Sequence, residues 1–312
     1  MVFLNYMSTY KTIIDEELVI SCLKDNFSSN ISNLEKITGG EGSQAYSFKV
    51  KKKEYIIRIN KHYDLGFKKD EYAYKNYSKE NIPIPKIYKI GKINNEYHFC
   101  VSQKADGNVL NAISSIDLEK LDDELFEILD KIHAIDISET IGYGKWNTNN
   151  QGDSKSWREK ILSADENTKE TVEKPSLFES SFLEKDYWDK IYSCMIKLLS
   201  YCSEERYLIH GDYSFDNILS DGNRITAVID WEQSMYGDFL FDVAWLSIWS
   251  KKIDYEKLYL ERCNKKNLKT KNTRERILCY KLYIGLQSLS FYAYSNQEDK
   301  YNGLKETINK FL

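Results

Sequence analysis

The sequence predicts an α+β fold of two lobes, a smaller antiparallel sheet carrying one key helix and a larger, mainly helical part behind it. Three observations predict this. Two-residue alternation dominates the first hundred residues, helical spacing dominates after residue 104, and a short β-type stretch, residues 208–231, interrupts the helical half. The chain has 312 residues, enough for two cores of useful size. The boundary is placed between residues 103 and 104.

Taken in order, residues 10–27 read as a helix, because Ile14, Leu18, Cys22 and Leu23 recur at helical spacing. A Gly-rich turn, Thr38 to Ser43, runs into alternating residues. The next strand sets Tyr55, Ile57 and Ile59 against Ile56, Arg58 and Asn60 on its other face. Phe67–Lys79 returns to helical spacing, and Pro83 and Pro85 end that helix. Two more strands flank Asn94-Asn95. Beyond Asp106-Gly107, helices are expected over Leu118–Ala134, Tyr187–Cys202 and Arg274–Tyr294. Residues 146–156 and 164–180 are polar, aperiodic and read as loops. Inside the β interruption, Asp221-Gly222-Asn223 marks a tight turn.

Composition excludes several classes. Hydrophobic residues are 42% and charged residues 29%, as in an ordinary globular domain, so extended disorder is not expected. Lys and Arg number 44 against 48 Asp and Glu, a net charge of −4. No basic excess is present to hold a nucleic-acid backbone. The six cysteines (Cys22, Cys100, Cys194, Cys202, Cys263, Cys279) show no CxxC spacing, which argues against zinc or redox motifs and for thiols in a reducing compartment. The N-terminal stretch has no basic segment before an apolar run, and nowhere are there about 18 successive apolar residues. A cytoplasmic monomer with neither nucleic-acid nor membrane partners is expected.

The strongest chemical signal is His210-Gly211-Asp212-Tyr213-Ser214-Phe215-Asp216-Asn217, followed by Val228-Ile229-Asp230-Trp231. Phosphoryl transfer to an alcohol needs a carboxylate at the acceptor hydroxyl and oxygen ligands that hold Mg²⁺ against the phosphates. Protein kinases place a catalytic Asp and a metal-binding Asn at the same separation, with a second metal-binding Asp after a hairpin. Asp212 is therefore the expected acceptor-side carboxylate, and Asn217 and Asp230 the expected metal ligands. The apolar pairs Ile218-Leu219 and Val228-Ile229 fall where the hairpin needs them.

A cation for the phosphates belongs on the N-terminal sheet. Arg58 fits, gripping phosphate as a planar fork. Its carboxylate partner is expected to be Asp70, which shares a helix face with Tyr74 and Tyr77; Glu71 points about 100° away and is held in reserve. Gly39, Gly40, Gly42 and Ser43 are expected to close main-chain N–H groups on the phosphates, since they precede the Arg58 strand. Main-chain groups of Ser102 and Lys104, leaving the last strand of this lobe, are expected to meet adenine.

These motifs, with PIP after the helix, resemble the aminoglycoside phosphotransferase family, above all its hygromycin B branch. GGEGSQAYSF, GFKKDEYAYKNY, IPIPKIYKIG and NRITAVIDWEQSMYGDFLFDVAWLSIW carry the likeness, which covers about residues 20–290. The resemblance implies a protein-kinase-like fold, Mg²⁺, ATP or GTP as co-substrate, a nucleotide-binding lobe over 1–103 and a catalytic and acceptor-binding lobe over 104–312. The family's helix carboxylate, counted back from Pro85, also falls on Asp70. The family at large carries Lys where Arg58 stands, whereas the branch shares Arg; Gly211 and Tyr213 stand where the branch has Ala and Phe.

The acceptor is expected to be a small molecule. Too little chain separates Asp230 from the next helix for a peptide-binding activation segment. An aminoglycoside is a polycation, so acids are sought for its site: Asp216, Glu232, Asp238, Glu261 and Glu298. Asp242 is expected to tie its helix to the Asp212 loop, and His210 to hold that loop rather than act as a base. His133 and most of the Trp and Tyr residues read as packing groups. The alternative acceptors are metabolic alcohols such as choline, homoserine, a sugar or a nucleoside; a nucleotide-binding module without catalysis is the third reading.

Overall fold

The computed structural model describes residues 12–38, 42–61, 65–171, 175–250, 253–268 and 270–312. Among them the strands, in chain order, are β1 (Ile31–Ile37), β2 (Gln44–Val50), β3 (Lys53–Asn60), β4 (Ile87–Lys92), β5 (His98–Gln103), β6 (Asn108–Val109), β7 (Tyr143–Trp146), β8 (Gly152–Ser154), β9 (Tyr207–Ile209), β10 (Ile218–Ser220), β11 (Ile225–Val228) and β12 (Met235–Gly237). The N-terminal sheet is antiparallel with order β1-β2-β3-β5-β4.

Alternation along β3 divides its two faces. Tyr55, Ile57 and Ile59 are buried in a cluster with Phe48, Phe99 and Val101, covered by Val19, Cys22 and Leu23 of helix α1 (Glu16–Asn26). Asp15 caps α1 by accepting from the Glu17 N–H at 2.7 Å. Arg58 lies on the opposite face, directly across from Cys100 of β5. There Cys100 packs with Ile87 and with Phe67 of helix α2 (Leu65–Tyr77).

The described chain divides into two compact units, and not at 103/104. One unit comprises the described residues up to Ile135 together with Phe215–Gln233; the other comprises Asp136–Ser214 and Ser234–Leu312. Residues 104–135 and the β10–β11 hairpin belong with the N-terminal sheet for visible reasons. Strand β6 pairs with β10, Glu124 accepts the Ile225 N–H at 2.9 Å, and Val228 donates to the Pro83 carbonyl at 2.7 Å. Gly107 makes the approach possible: at φ +88° a Cβ there would overlap the Ser220 carbonyl.

The second unit is mainly helical. Helix Thr273–Tyr294 is buried around most of its circumference, as a central helix must be, and packs with helices Lys185–Leu198, Leu240–Trp249 and Glu298–Ile308. A four-stranded sheet, β8-β7-β12-β9, accompanies it. The expected helix over Leu118–Ala134 is two pieces, Ser115–Glu119 and Asp122–His133. The expected loop at 146–156 contains β8, and that at 164–180 contains short helical turns over Ser163–Thr168 and Leu177–Ser180. No helix among the described residues is long and apolar enough to cross a membrane.

Candidate active site

In the unit built on the N-terminal sheet, the Asp70 carboxylate joins Arg58 to the main chain beside Asp230. The Arg58 guanidinium is ion-paired with Asp70 through Nη2 and Oδ2. The other oxygen, Asp70 Oδ1, accepts the N–H of Trp231 at 2.8 Å, the residue next to Asp230. Asp70 is 4% exposed, whereas Glu71 is turned away and paired with Lys75 at 2.9 Å. Of the two acids, Asp70 is thus the one paired with Arg58. Arg58 stacks on the Phe67 ring at 5.2 Å and keeps one-fifth of its side chain exposed, so a ligand can reach it. Burial alone would weaken its charge; Asp70 and Asp230 outweigh that and hold the guanidinium protonated.

Asn217 and Asp230 flank the open end of the β10–β11 hairpin. Ile218 pairs with Val228, and the Ile229 N–H donates to the Asn217 carbonyl at 2.9 Å. Asp230 adopts a left-handed backbone, φ +64°, unusual outside glycine. Burial first, and then Asp70, pushes its carboxyl up to about 6, with Arg58 acting in the opposite direction. This is a carboxylate whose charge is disfavoured until a cation faces it.

In the other unit, the loop carrying Asp212 is fixed through its main chain. The N–H groups of His210 and Gly211 donate to Asp242, at 2.9 Å to Oδ2 and 2.8 Å to Oδ1. The Asp212 N–H donates to His210 Nδ1 at 3.3 Å, and the Ser214 N–H to the Asp212 carbonyl at 2.9 Å. A ring nitrogen that accepts from the main chain is not a base in waiting, so His210 holds the loop, as expected. Gly211 sits at φ +76°, a conformation that Ala adopts only with strain. Tyr213 is completely buried beside the His210 ring.

A model of the phosphotransferase enzyme family matches residues 33–262. The chain belongs to that family. It is 30% identical to hygromycin-B 4-O-kinase of Escherichia coli over 267 residues, 83% of this chain and 74% of that protein. Among solved structures it resembles aminoglycoside phosphotransferase APH(4)-Ia, at 26% identity and a TM-score of 0.81 over 95% of this chain and 98% of that one. It also resembles a thermostable mutant of APH(4)-Ia in ternary complex with AMP-PNP and hygromycin B, at 27% identity and TM-score 0.79 over 94% and 97%. The GDP complex of aminoglycoside 2'-phosphotransferase-IIIa, 17% identical with TM-score 0.64 over 95% and 98%, shares the fold.

The remaining sequence-predicted residues of this phosphotransferase fall out unevenly. Gly39 and Gly40 lie outside the described residues. The Gly42 carbonyl accepts the Thr12 N–H at 2.7 Å, and Ser43 leads into β2. Ser102 stands opposite Ile56 and Ile87, so its main chain is engaged in the ladder. Lys104, just past the strand, directs its N–H at the Glu54 carbonyl at 3.4 Å and its ammonium at the Glu54 carboxylate at 3.2 Å.

Among the five acids sought for the acceptor, Asp238 is corrected by the structure. It is completely buried and saturated, receiving Arg276 Nε at 2.8 Å, Nη2 at 2.6 Å and the Tyr280 hydroxyl at 2.5 Å. It is a core ion pair, not a ligand for a cation. Glu232 rests its carboxylate against Gly66 in the first turn of α2, where the helix has no acid of its own. Asp216 is exposed and accepts from Asn111 Nδ2 at 2.5 Å. Glu261 is exposed on helix Tyr255–Lys265, and Glu298 is exposed at the start of its helix.

The donor set suits Mg²⁺. The Asn217 amide oxygen and the Asp230 carboxylate are hard oxygen donors at one end of a hairpin, and the Asp230 charge calls for a cation. Among the described residues no group of three or more His, Cys, Asp or Glu forms a metal cage. Lys69, Gly66 and Asn111 were not foreseen as contributors. Gly66 sits one helical turn before both Lys69 and Asp70, a face relation visible in the sequence, but a lysine on such a face ordinarily reads as solvated.

Proposed function

We propose that this phosphotransferase moves the γ-phosphoryl of ATP onto a hydroxyl of an aminoglycoside or aminocyclitol antibiotic, with hygromycin B as the first acceptor, in the cytoplasm and as a monomer. The observation that carries the acceptor is the 30% identity to hygromycin-B 4-O-kinase across most of the chain. What supports the chemistry is the full set of Arg58, Asp70, Asp212, Asn217 and Asp230, each held by its own neighbours.

Residues 1–103 serve the nucleotide. Arg58 binds the α- and β-phosphates, oriented by Asp70, while Gly39, Gly40, Gly42 and Ser43 close over the phosphate chain and main-chain groups near Lys104 meet the base. Asn217 and Asp230 hold Mg²⁺, which neutralises charge on the phosphates. Residues 104–312 bring the acceptor to Asp212, and the exposed acids Asp216, Glu261 and Glu298 attract its ammonium groups. Asp212 orients the acceptor hydroxyl. The acceptor hydroxyl oxygen forms the new bond to the γ-phosphorus as the bond to the β,γ-bridging oxygen breaks and ADP leaves. The hydroxyl proton passes late to Asp212.

The test is mass spectrometry of a compound set incubated with enzyme and MgATP or MgGTP. The set holds hygromycin B, other aminoglycosides, choline, homoserine, sugars and nucleosides. A gain of one phosphate on hygromycin B or another aminoglycoside is expected. Turnover confined to a metabolic alcohol would end the antibiotic reading, and nucleotide binding without any product would end the catalytic one.

A further inference from the structure

Helix α2 does more than supply Asp70. Gly66, Lys69 and Asp70 are spaced i, i+3, i+4 and so share one face, and each meets the two residues that follow Asp230. Lys69 Nζ donates to the Glu232 carbonyl at 2.7 Å, and Asp70 Oδ1 accepts the Trp231 N–H. The Glu232 carboxylate lies so close to Gly66 that a Cβ there would come within 2.7 Å of Oε2. Lys69 is 1% exposed. An ammonium is costly to bury and stays inside only where acceptors hold it. Asp230 itself holds a left-handed backbone that a side chain disfavours, and such a conformation persists only where its surroundings over-determine it. The two hydrogen bonds from α2, given by Lys69 and Asp70, are among those surroundings.

We propose that Lys69 is a positioning residue for Asp230: by holding the Glu232 carbonyl, its buried ammonium fixes the turn that sets the Asp230 carboxylate as a metal ligand. This rests on the reading of Asp230 as that ligand. Lys69 acts on Asp230 through the main chain, by way of the Glu232 carbonyl two residues on. Gly66 has the matching role of leaving room for the Glu232 carboxylate at the start of α2.

The experiment compares Lys69→Met, which keeps the apolar stem and removes the donor, with Lys69→Arg, which keeps a donor. Mn²⁺ binding to the full-length enzyme with AMP-PNP is followed by electron paramagnetic resonance, alongside the Mg²⁺ concentration giving half-maximal turnover of hygromycin B. Lys69→Met is expected to weaken Mn²⁺ binding about fivefold and to raise the Mg²⁺ requirement in parallel, with the acceptor KM within about twofold; Lys69→Arg recovers at least part of the loss. Lower thermal stability with unchanged Mn²⁺ affinity and Mg²⁺ requirement overturns the proposal. Where Lys69→Met yields no folded protein, Lys69→Gln, whose shorter amide falls short of the Glu232 carbonyl, decides: a shift in the same direction is expected, and unchanged Mn²⁺ affinity overturns the proposal. Asp230→Asn separates the two levels. If it leaves Mn²⁺ binding intact, the ligand reading falls and takes the proposal with it. If it abolishes binding while Lys69→Met changes nothing, only the positioning role falls.

Discussion

Asp70 and Asp242 are both buried aspartates, one in each compact unit, and each uses both carboxylate oxygens to fix a segment that carries candidate site residues. Their partners differ in kind. Asp70 divides itself between the Arg58 guanidinium and one main-chain N–H, whereas Asp242 gives both oxygens to main-chain N–H groups, those of His210 and Gly211. The first is a charged node: it orients the Arg58 guanidinium and fixes the chain beside Asp230. The second is a shape node, which fixes the loop of Asp212 without adding charge that a substrate feels. The comparison predicts that damage at Asp70 appears mainly in nucleotide kinetics and damage at Asp242 mainly in stability.

The largest expected effect is that of Asp242→Asn. The new amide keeps one acceptor and turns a donor toward a main-chain N–H, stranding it. A loss of about 3 kcal/mol follows, a fall in Tm of about 6 °C by calorimetry. The nucleotide KM of the surviving folded enzyme should change by less than about twofold. Asp70→Asn comes next: Arg58 loses its counter-charge, and KM for ATP should rise about tenfold, roughly 1.4 kcal/mol, with a fall in Tm smaller than that of Asp242→Asn. If the two substitutions gave the same pattern, in steady-state kinetics and in melting, the distinction between the nodes would be lost.

Arg58→Lys sharpens the charged node. A point charge replaces a planar fork, so KM for ATP should rise about threefold while the acceptor KM stays put. An acceptor KM that moved as much would take Arg58 off the nucleotide.

The smallest signal comes from the thiols packed in the N-terminal sheet. Burial pushes Cys100 up to about 12 and Cys22 up to about 11, above an ordinary value near 9. Their contribution to stability is therefore complete below pH 9 and is lost as pH rises through 11 to 12. At pH 8 neither should react with a disulfide reagent until the protein unfolds; fast labelling of Cys100 in the folded enzyme would contradict the packing beneath Arg58.

The sequence was most informative where a motif constrains several neighbours at once. Asp212, Asn217 and Asp230 were legible because a hairpin of definite length separates the last two, and Asp70 because helical spacing sets its face. Strand β1 was not legible. It is an exposed edge with a register shift between Ser32 and Glu35 and a positive φ at Asn33, so its alternation is broken. The short strands β6, β7 and β12 are set by pairing across distant segments, which local propensity does not report. Asp238 misled for a similar reason: an acid beside a catalytic segment looks available until a distant arginine, Arg276, is found to hold it. Lys69 escaped notice because only the fold brings Glu232 back onto α2.

The central claim is that Asp212 acts on the acceptor hydroxyl while nucleotide is held elsewhere, and Asp212→Ala tests it most directly. With hygromycin B and MgATP, kcat should fall by about 10²–10⁴-fold, while ADP affinity, measured by titration calorimetry on the same preparation, stays within about twofold. A variant that keeps near-normal kcat, or one that loses nucleotide in step with activity, would contradict the account.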